Sequence, residues 1–331
     1  MLISILIPSF NSANYIRECL ESVCAQTYVK LEIICIDAYS NDGTLDILRE
    51  FVRKDKRVKL ILSEKRSFGH QLNLGLEKAK GEYFSIVESD DLAHPLMCEK
   101  LLNLALKIKC DLVKANLISF TQDKQKILNI MEDTNFYGRI LCEKERENVL
   151  KNSLIINPSG LYRLDFIKEF DLKLNETSGA AYQDTGFWFE LFSVARTWYF
   201  HNESLYFYRQ DNLNASTKSK EKIYAICEEF AFIDSFLKCQ KLEHLREVFL
   251  YRKFKSYWWN LRRIDERYRE EFLIRFAEDF KNENLKIGVF SASEFKELKK
   301  IIANPQQFAK KLSSPLFVLK KFFARFKKSL L

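Results

Sequence analysis

The spacing of apolar residues switches repeatedly over the first third of the chain. LISILI (2–7) is a continuous run rich in β-branched side chains and reads as a buried strand. NYIRECLESVCAQ (14–26) then places Ile16, Cys19, Leu20 and Val23 at helical spacing. LEIICID (31–37) predicts a second strand. SNDGTLDILREFVRK (40–54) predicts a second helix, with Asp42 and Thr44 near its start as cap residues. VKLIL (58–62) is a third strand, and HQLNLGLEKAK (70–80) a third helix expected to end at Gly81. EYFSIVE (82–88) is a fourth strand, and PLMCEKLLNLALKIK (95–109) a helix expected to open with Pro95 near its first position. DLVKANLISF (111–120) is a fifth strand.

Strands that alternate with helices of this length predict βαβ units, hence an α/β, Rossmann-like, mostly parallel sheet. Ligands of such sheets bind beyond the carboxyl ends of the strands. The polar residues that follow the strands are Ser9 and Asn11, then Asp37, then Ser63 and Glu64, then Glu88, Asp90 and Asp91. All four groups are expected on one edge. Residues 121–215 are more mixed, with turn signals at NPSG and NETSG. Beyond them the chain reads as helices rich in aromatics and cations. The expected division is therefore 1–217, an α/β domain, and 218–331, a helical region.

Charge sharpens that division. From Ser216 onward there are 26 Lys and Arg against 15 Asp and Glu, a net +11, which leaves −3 for the rest of a chain whose total is +8. A basic last third suits an anionic partner. No CxxC occurs among the 8 cysteines, so they read as buried thiols in a reducing compartment, without zinc or disulfides. MLISILIPSF lacks the basic start and the length of a secretory leader, and no run reaches the roughly 18 apolar residues of a membrane span. A cytoplasmic location is expected, peripheral on the inner face of the cytoplasmic membrane.

The tail, about 310–331, supports the peripheral part. On a helical wheel Leu316, Leu319, Phe322, Phe323, Phe326 and Leu330 share one arc, and Lys320, Lys321, Arg325, Lys327 and Lys328 the other. A basic amphipathic helix of this kind binds an anionic membrane surface. The bland alternative is a terminal helix docked on the protein.

The chemistry concentrates in IVESDDLAHP (86–95), which sets three carboxylates within four positions after a strand. Like charges this close repel, so a cation among them is expected. Oxygen-only ligands suit Mg²⁺ or Mn²⁺, usually shared with substrate phosphates. A solvated acidic turn capping the next helix is the plain alternative.

Six segments in order resemble the family 2 glycosyltransferases, which have the GT-A fold. SILIPSFNSANYIRECLESVCAQTY looks like that family's first strand and helix, and CIDAYSNDGTLDIL its D-D-G-S-x-D-G-T segment. SEKRSFGHQLNLGLEKAKGEY is similar to the stretch before the metal motif, and IVESDD to D-x-D itself. QDTGFWFELF stands where the later acidic motif stands, and LYFYRQDNLNAST resembles the Y-R segment. The resemblance covers residues 1–215.

It implies an inverting, divalent-metal-dependent transfer of a sugar from a nucleotide donor, with uridine the default base, to a glycan or lipid-linked glycan of a bacterial surface polysaccharide such as capsule or lipopolysaccharide. By resemblance Pro8, Ser9 and Phe10 wall the base pocket, and Asp37 and Glu64 belong to the nucleotide site. Glu88 and Asp90 meet the nucleotide, Asp90 and Asp91 the Mn²⁺ or Mg²⁺, and Asp184 is the general base. The alternative for Asp184 is a plain helix cap. Arg209 either faces the diphosphate or forms a structural ion pair. His70 and Asn73 either approach the sugar and diphosphate or hydrogen-bond at a helix start. Phe187, Trp188 and Trp198 either stack on a sugar or fill the core. Two departures stand out: Ala38 occupies the usual place of a second Asp, and Glu88 that of the first Asp in D-x-D. Ala38 leaves room for a catalytically inactive nucleotide-sugar-binding assembly partner. A nucleic-acid-binding protein using the basic, aromatic last third is a further reading, but the acidic N-terminal site and the lack of a recognition motif argue against it, and no nucleic-acid partner is expected. Trp258 and Trp259 offer a surface for a homodimer.

Overall fold

The structure is a computed structural model, and it describes residues 1–213, 215, 220, 222–286 and 288–312. The tail helix expected over 310–331 therefore lies almost wholly outside the described residues. The chain divides into two compact units: one holds the N-terminal two thirds and Glu229–Leu242, and the other holds mainly the chain from Glu243 onward.

The first unit is built on one mixed sheet. β1 (Ile3–Ser9), β2 (Leu31–Asp37), β3 (Val58–Leu62) and β4 (Tyr83–Ile86) are joined by α1 (Ile16–Cys24), α2 (Thr44–Lys54) and α3 (Phe68–Lys78). These four strands are parallel, in the order β3-β2-β1-β4. Every residue of β1 and β2 is buried, which is why their sequences are apolar throughout rather than alternating. The chain continues through β5 (Leu92–Ala93), α4 (Met97–Ile108), β6 (Leu112–Phe120), β7 (Gln125–Leu128), β8 (Ile140–Cys142), α5 (Arg146–Asn152), β9 (Gly160–Arg163), α6 (Leu164–Glu169), α7 (Gln183–Val194) and β10 (Thr197–Arg209).

The fifth predicted strand, β6, does not sit beside β4. β9 lies between them, antiparallel to both. β6 still runs in the direction of β4, so its carboxyl end joins the same edge. β10 then pairs parallel with β6, through two register shifts, and antiparallel with β5. The short strand β9 carries no periodicity long enough to identify it in the sequence.

Two local expectations are corrected. Gly81 does not end α3: the helix stops at Lys78, and its cap residue Ala79 is extended. Gly81 is instead required for close approach, since a Cβ there would meet Tyr83 O at 2.6 Å and Leu2 O at 2.8 Å. Pro95 is not at the first position of α4, because Leu96 is the cap and Met97 the first helical residue. Asp42 does serve the start of α2, accepting from the main chain and hydroxyl of Thr44. The cap residue proper is Gly43, at φ +101°, a conformation that favours glycine.

Trp188, Phe187 and Trp198 belong to the core, each at most 1% exposed. Phe192 packs edge-on against Trp198 at 5.7 Å between centroids.

α8 (Ala225–Cys239) is divided between the two units. In the second unit α9 (Arg246–Arg263), α10 (Arg269–Lys281), α11 (Ala292–Ala303) and α12 (Pro305–Leu312) bury an aromatic cluster. Tyr257 lies 5.1 Å from Phe276, and Trp258 5.9 Å from Phe308. The Tyr257 hydroxyl reaches Asp279 at 2.6 Å. Trp259 is 49% exposed.

Candidate active site

Parallel register brings the polar strand ends together. Ser9 is the partner of Asp37, and Asp37 of Leu62. The loop after β4 follows at once, with Val87 N donating to Leu6 O at 3.0 Å. The sheet therefore delivers the polar ends of β1, β2, β3 and β4 to one edge.

Asp37 is the anchor of that edge. It is fully buried and accepts from Ser9 Oγ at 2.8 Å, Ser40 N at 2.7 Å and Ser40 Oγ at 2.7 Å. The side-chain amide of Gln71 donates to the carbonyls of Ser9 and Ile36 and closes the same corner. Pro8 and Ser9 are buried, and Phe10 is half-buried with the Arg66 guanidinium 3.7 Å above its ring. Glu64 is exposed. Ala38 is 7% exposed, so the position after Asp37 offers the edge no polar group.

Glu88, Asp90 and Asp91 present ligand oxygens that all lie within 4.8 Å of one another. The three differ in how occupied they are. Asp91 is fully buried: Tyr206 OH donates to Oδ2 at 2.8 Å and Arg209 N to Oδ1 at 2.7 Å. Asp90 accepts from Asn212 Nδ2 at 2.7 Å through one oxygen. The Glu88 carboxylate accepts no hydrogen bond from any described residue, although its main chain is held by Tyr206 OH and by Cys19 Sγ. Glu88 and Asp90 therefore keep the more open oxygens, while Asp91, expected at the metal, also holds the loop through one donor on each oxygen.

The electrostatics fit a cation. Among the described residues no Lys, Arg or His side chain forms an ion pair with Glu88, Asp90, Asp91 or Asp184. Burial, then the charges of Asp90 and Asp184, push the Glu88 carboxyl up to about 8. Burial, then the charges of Glu88 and Asp90, push Asp91 well above the usual range, against the pull of its two donors. Closely set hard oxygens whose charge is uncompensated suit a divalent ion such as Mg²⁺ or Mn²⁺.

Arg209 braces the loop from outside. Its Nε donates to Asp90 O at 2.7 Å and its Nη2 to Glu18 Oε2 at 2.6 Å. The guanidinium also lies over the rings of Phe120 and Tyr15, at 4.7 and 5.0 Å. Of the two readings, the geometry displays the structural ion pair.

Asp184 is the second residue of α7, directly after Tyr182 in a left-handed conformation and the buried Gln183. Gln183 ties the preceding loop down through Thr177 and Gly179. Gly179 in turn pairs with the strand-three loop, with Phe68 N to Gly179 O at 3.0 Å and Gly179 N to Arg66 O at 2.7 Å. Asp184 Oδ1 accepts from Thr185 N at 2.9 Å, a local bond of the first helical turn. The carboxylate keeps partial solvent access, yet protein surrounds it closely enough that burial raises it to about 6. It lies close enough to Glu88 for its charge to act there.

His70 and Asn73 go elsewhere. His70 Nδ1 is 2.9 Å from Glu176, and Asn73 clamps residue 174 by accepting from its N–H and donating to its carbonyl. Both line a cavity of about 440 Å³ beside α6, and none of the four clustered acids lines it.

Two residues absent from the sequence reading join the acids: Tyr206, which bonds Asp91, and Tyr208, whose phenol feels the charge of all four. The period-two tyrosine pair in YFYRQD (206–211) was the available signal.

Residues 4–168 match the family profile described as Glycosyl transferase family 2. The glycosyltransferase GlyG of Streptococcus pneumoniae is 29% identical over 213 residues, 63% of this chain and 71% of that protein. An uncharacterized glycosyltransferase of Haemophilus influenzae is 32% identical over 182 residues, 51% of this chain and 72% of that one. Two further bacterial relatives are matched over only 37% and 23% of their length. Among solved structures, S. aureus TarS 1–349 in complex with UDP-GlcNAc is similar with a TM-score of 0.73 at 16% identity, covering 94% of this chain and 91% of that one. Identity that low speaks for the fold, which is of the GT-A type. The chain belongs to glycosyl transferase family 2 and is a glycosyltransferase.

Proposed function

We propose that the enzyme moves a sugar, with inversion, from a nucleoside diphosphate donor to a surface glycan or its lipid-linked precursor. The observation that carries this reading is the convergence of Asp184 on the open carboxylates of Glu88 and Asp90, with no cationic side chain of the described residues paired with any of them. Asp184 takes the proton of the acceptor hydroxyl as that oxygen attacks the anomeric carbon. The carbon–oxygen bond to the diphosphate breaks, and its electron pair leaves on the phosphate oxygen. A base working near neutral pH is best served by a pKa near that pH, and burial supplies the upward shift. A divalent ion held by Glu88 and Asp90 would neutralise the departing diphosphate.

Pro8, Ser9 and Phe10 would wall the base, and the Arg66 guanidinium over Phe10 marks a flat face on which a planar ring stacks. The UDP-GlcNAc bound by TarS supports a uridine donor. The division into a donor-binding domain and a helical region, membrane attachment through the tail, and pairing of subunits through the second unit belong to the same proposal.

Calorimetric titration of UDP, with and without Mn²⁺, tests it. Binding that needs Mn²⁺ supports the site and selects UDP-sugars for a transfer screen. Absence of binding in both conditions sinks the uridine assignment, and Ala38 then directs the same titration to GDP.

A further inference from the structure

Tyr208 has no role in the network that builds the site. Tyr206, two residues earlier on β10, spends its hydroxyl on Asp91 and on the main chain of Glu88. Alternation along a strand puts Tyr208 on the same face. Its ring is half-buried, and its hydroxyl makes no hydrogen bond to any described residue. Burial, then the charges of Glu88, Asp91, Asp184 and Asp90, keep the phenol protonated at every physiological pH. It is a neutral donor surrounded by good acceptors and bonded to none of them.

We propose that the Tyr208 hydroxyl, free on the face of β10 that meets the Glu88–Asp91 loop and Asp184, donates a hydrogen bond to the terminal phosphate of the nucleoside diphosphate. The argument rests on the functional reading above. A half-buried hydroxyl without a protein partner is stable only while something else accepts its proton. The species that enters this space rich in acceptor oxygens is the diphosphate. Its terminal phosphate gains negative charge as the sugar leaves, so a fixed donor there binds the transition state better than the ground state. Tyr208 thus supplies a fixed, neutral donor beside the acids.

The test compares UDP and UMP binding, both with Mn²⁺, in wild type, Tyr208→Phe and Tyr206→Phe. UMP lacks the terminal phosphate. Tyr208→Phe is expected to weaken UDP about 5- to 20-fold, to leave UMP unchanged and to leave the melting temperature within a degree or two, as one lost hydrogen bond implies. Tyr206→Phe, which loosens the loop itself, is expected to weaken both nucleotides and to lower the melting temperature. Equal effects of Tyr208→Phe on UDP and UMP, or no effect on either, overturn the assignment. If wild type binds no nucleoside diphosphate, the functional reading fails first and takes this inference with it. A wild type that binds UDP normally beside an indifferent Tyr208→Phe sinks the inference alone.

Discussion

The main-chain N–H of Arg209 donates to Asp91 Oδ1 at 2.7 Å, fastening the end of β10 to the acidic loop after β4. The side chain of the same arginine adds a second fastening, through the Asp90 carbonyl and Glu18. The loop is thus held by β10 and by α1 at once.

That arrangement separates backbone from side chain. Arg209→Lys keeps the charge and the main-chain bond but loses the planar fork. An unfolding free energy lower by about 1–3 kcal/mol is expected, the usual range for hydrogen bonds to charged groups. Urea titration measures it, and a variant as stable as wild type would show that the fork does not brace the loop.

Asp184 predicts the pH profile. A base must be ionised, and burial raises this carboxyl to about 6. Activity should therefore climb as pH rises through about 6 and level off above. Asp184→Asn should lose transfer by at least about 100-fold, the lower end of what a positioned base contributes, while retaining UDP binding. Undiminished turnover in that variant removes Asp184 from the mechanism.

Glu88 links metal to protons. Its carboxyl, pushed up to about 8, is largely protonated at pH 7. A folded-state value above the unfolded one near 4.3 means that stability is full at low pH and declines as pH rises from about 4.5 towards 8. Mn²⁺ must displace the proton, so its affinity should rise between pH 6 and 8, with proton release visible as a buffer-dependent binding enthalpy. Glu88→Gln should flatten both trends, and an affinity independent of pH would place the ion away from Glu88.

Gly69 packs α3 against the segment that leads to Asp184. A Cβ there would lie 2.0 Å from the Asn175 carbonyl oxygen, a main-chain atom that no rotamer change can move. Gly69→Ala is expected to cost about 1–3 kcal/mol through overpacking. Calorimetric melting checks this; an unchanged transition would mean that the 174–176 segment shifts freely.

The sequence by itself determined the four parallel strands, their helices and the edge on which their polar ends meet. Each signal is local: unbroken apolar runs for doubly buried strands, helical spacing between them, and a shared strand direction. It also determined the order of motifs that places the chain in its family. Tertiary structure decided what each polar residue does there. Asp37 and Asp91 look alike in the sequence, yet each is held by its own set of donors: Asp37 by Ser9 and the nearby Ser40, Asp91 by Tyr206 and Arg209 from a strand more than a hundred residues on. His70 and Asn73 sit in the right stretch of chain but face Glu176 and residue 174, about a hundred positions away. β9, only four residues long, takes its place by antiparallel pairing with β4 and β6. Whether an oxygen remains free depends on donors that arrive from elsewhere in the chain, and no local pattern records their arrival.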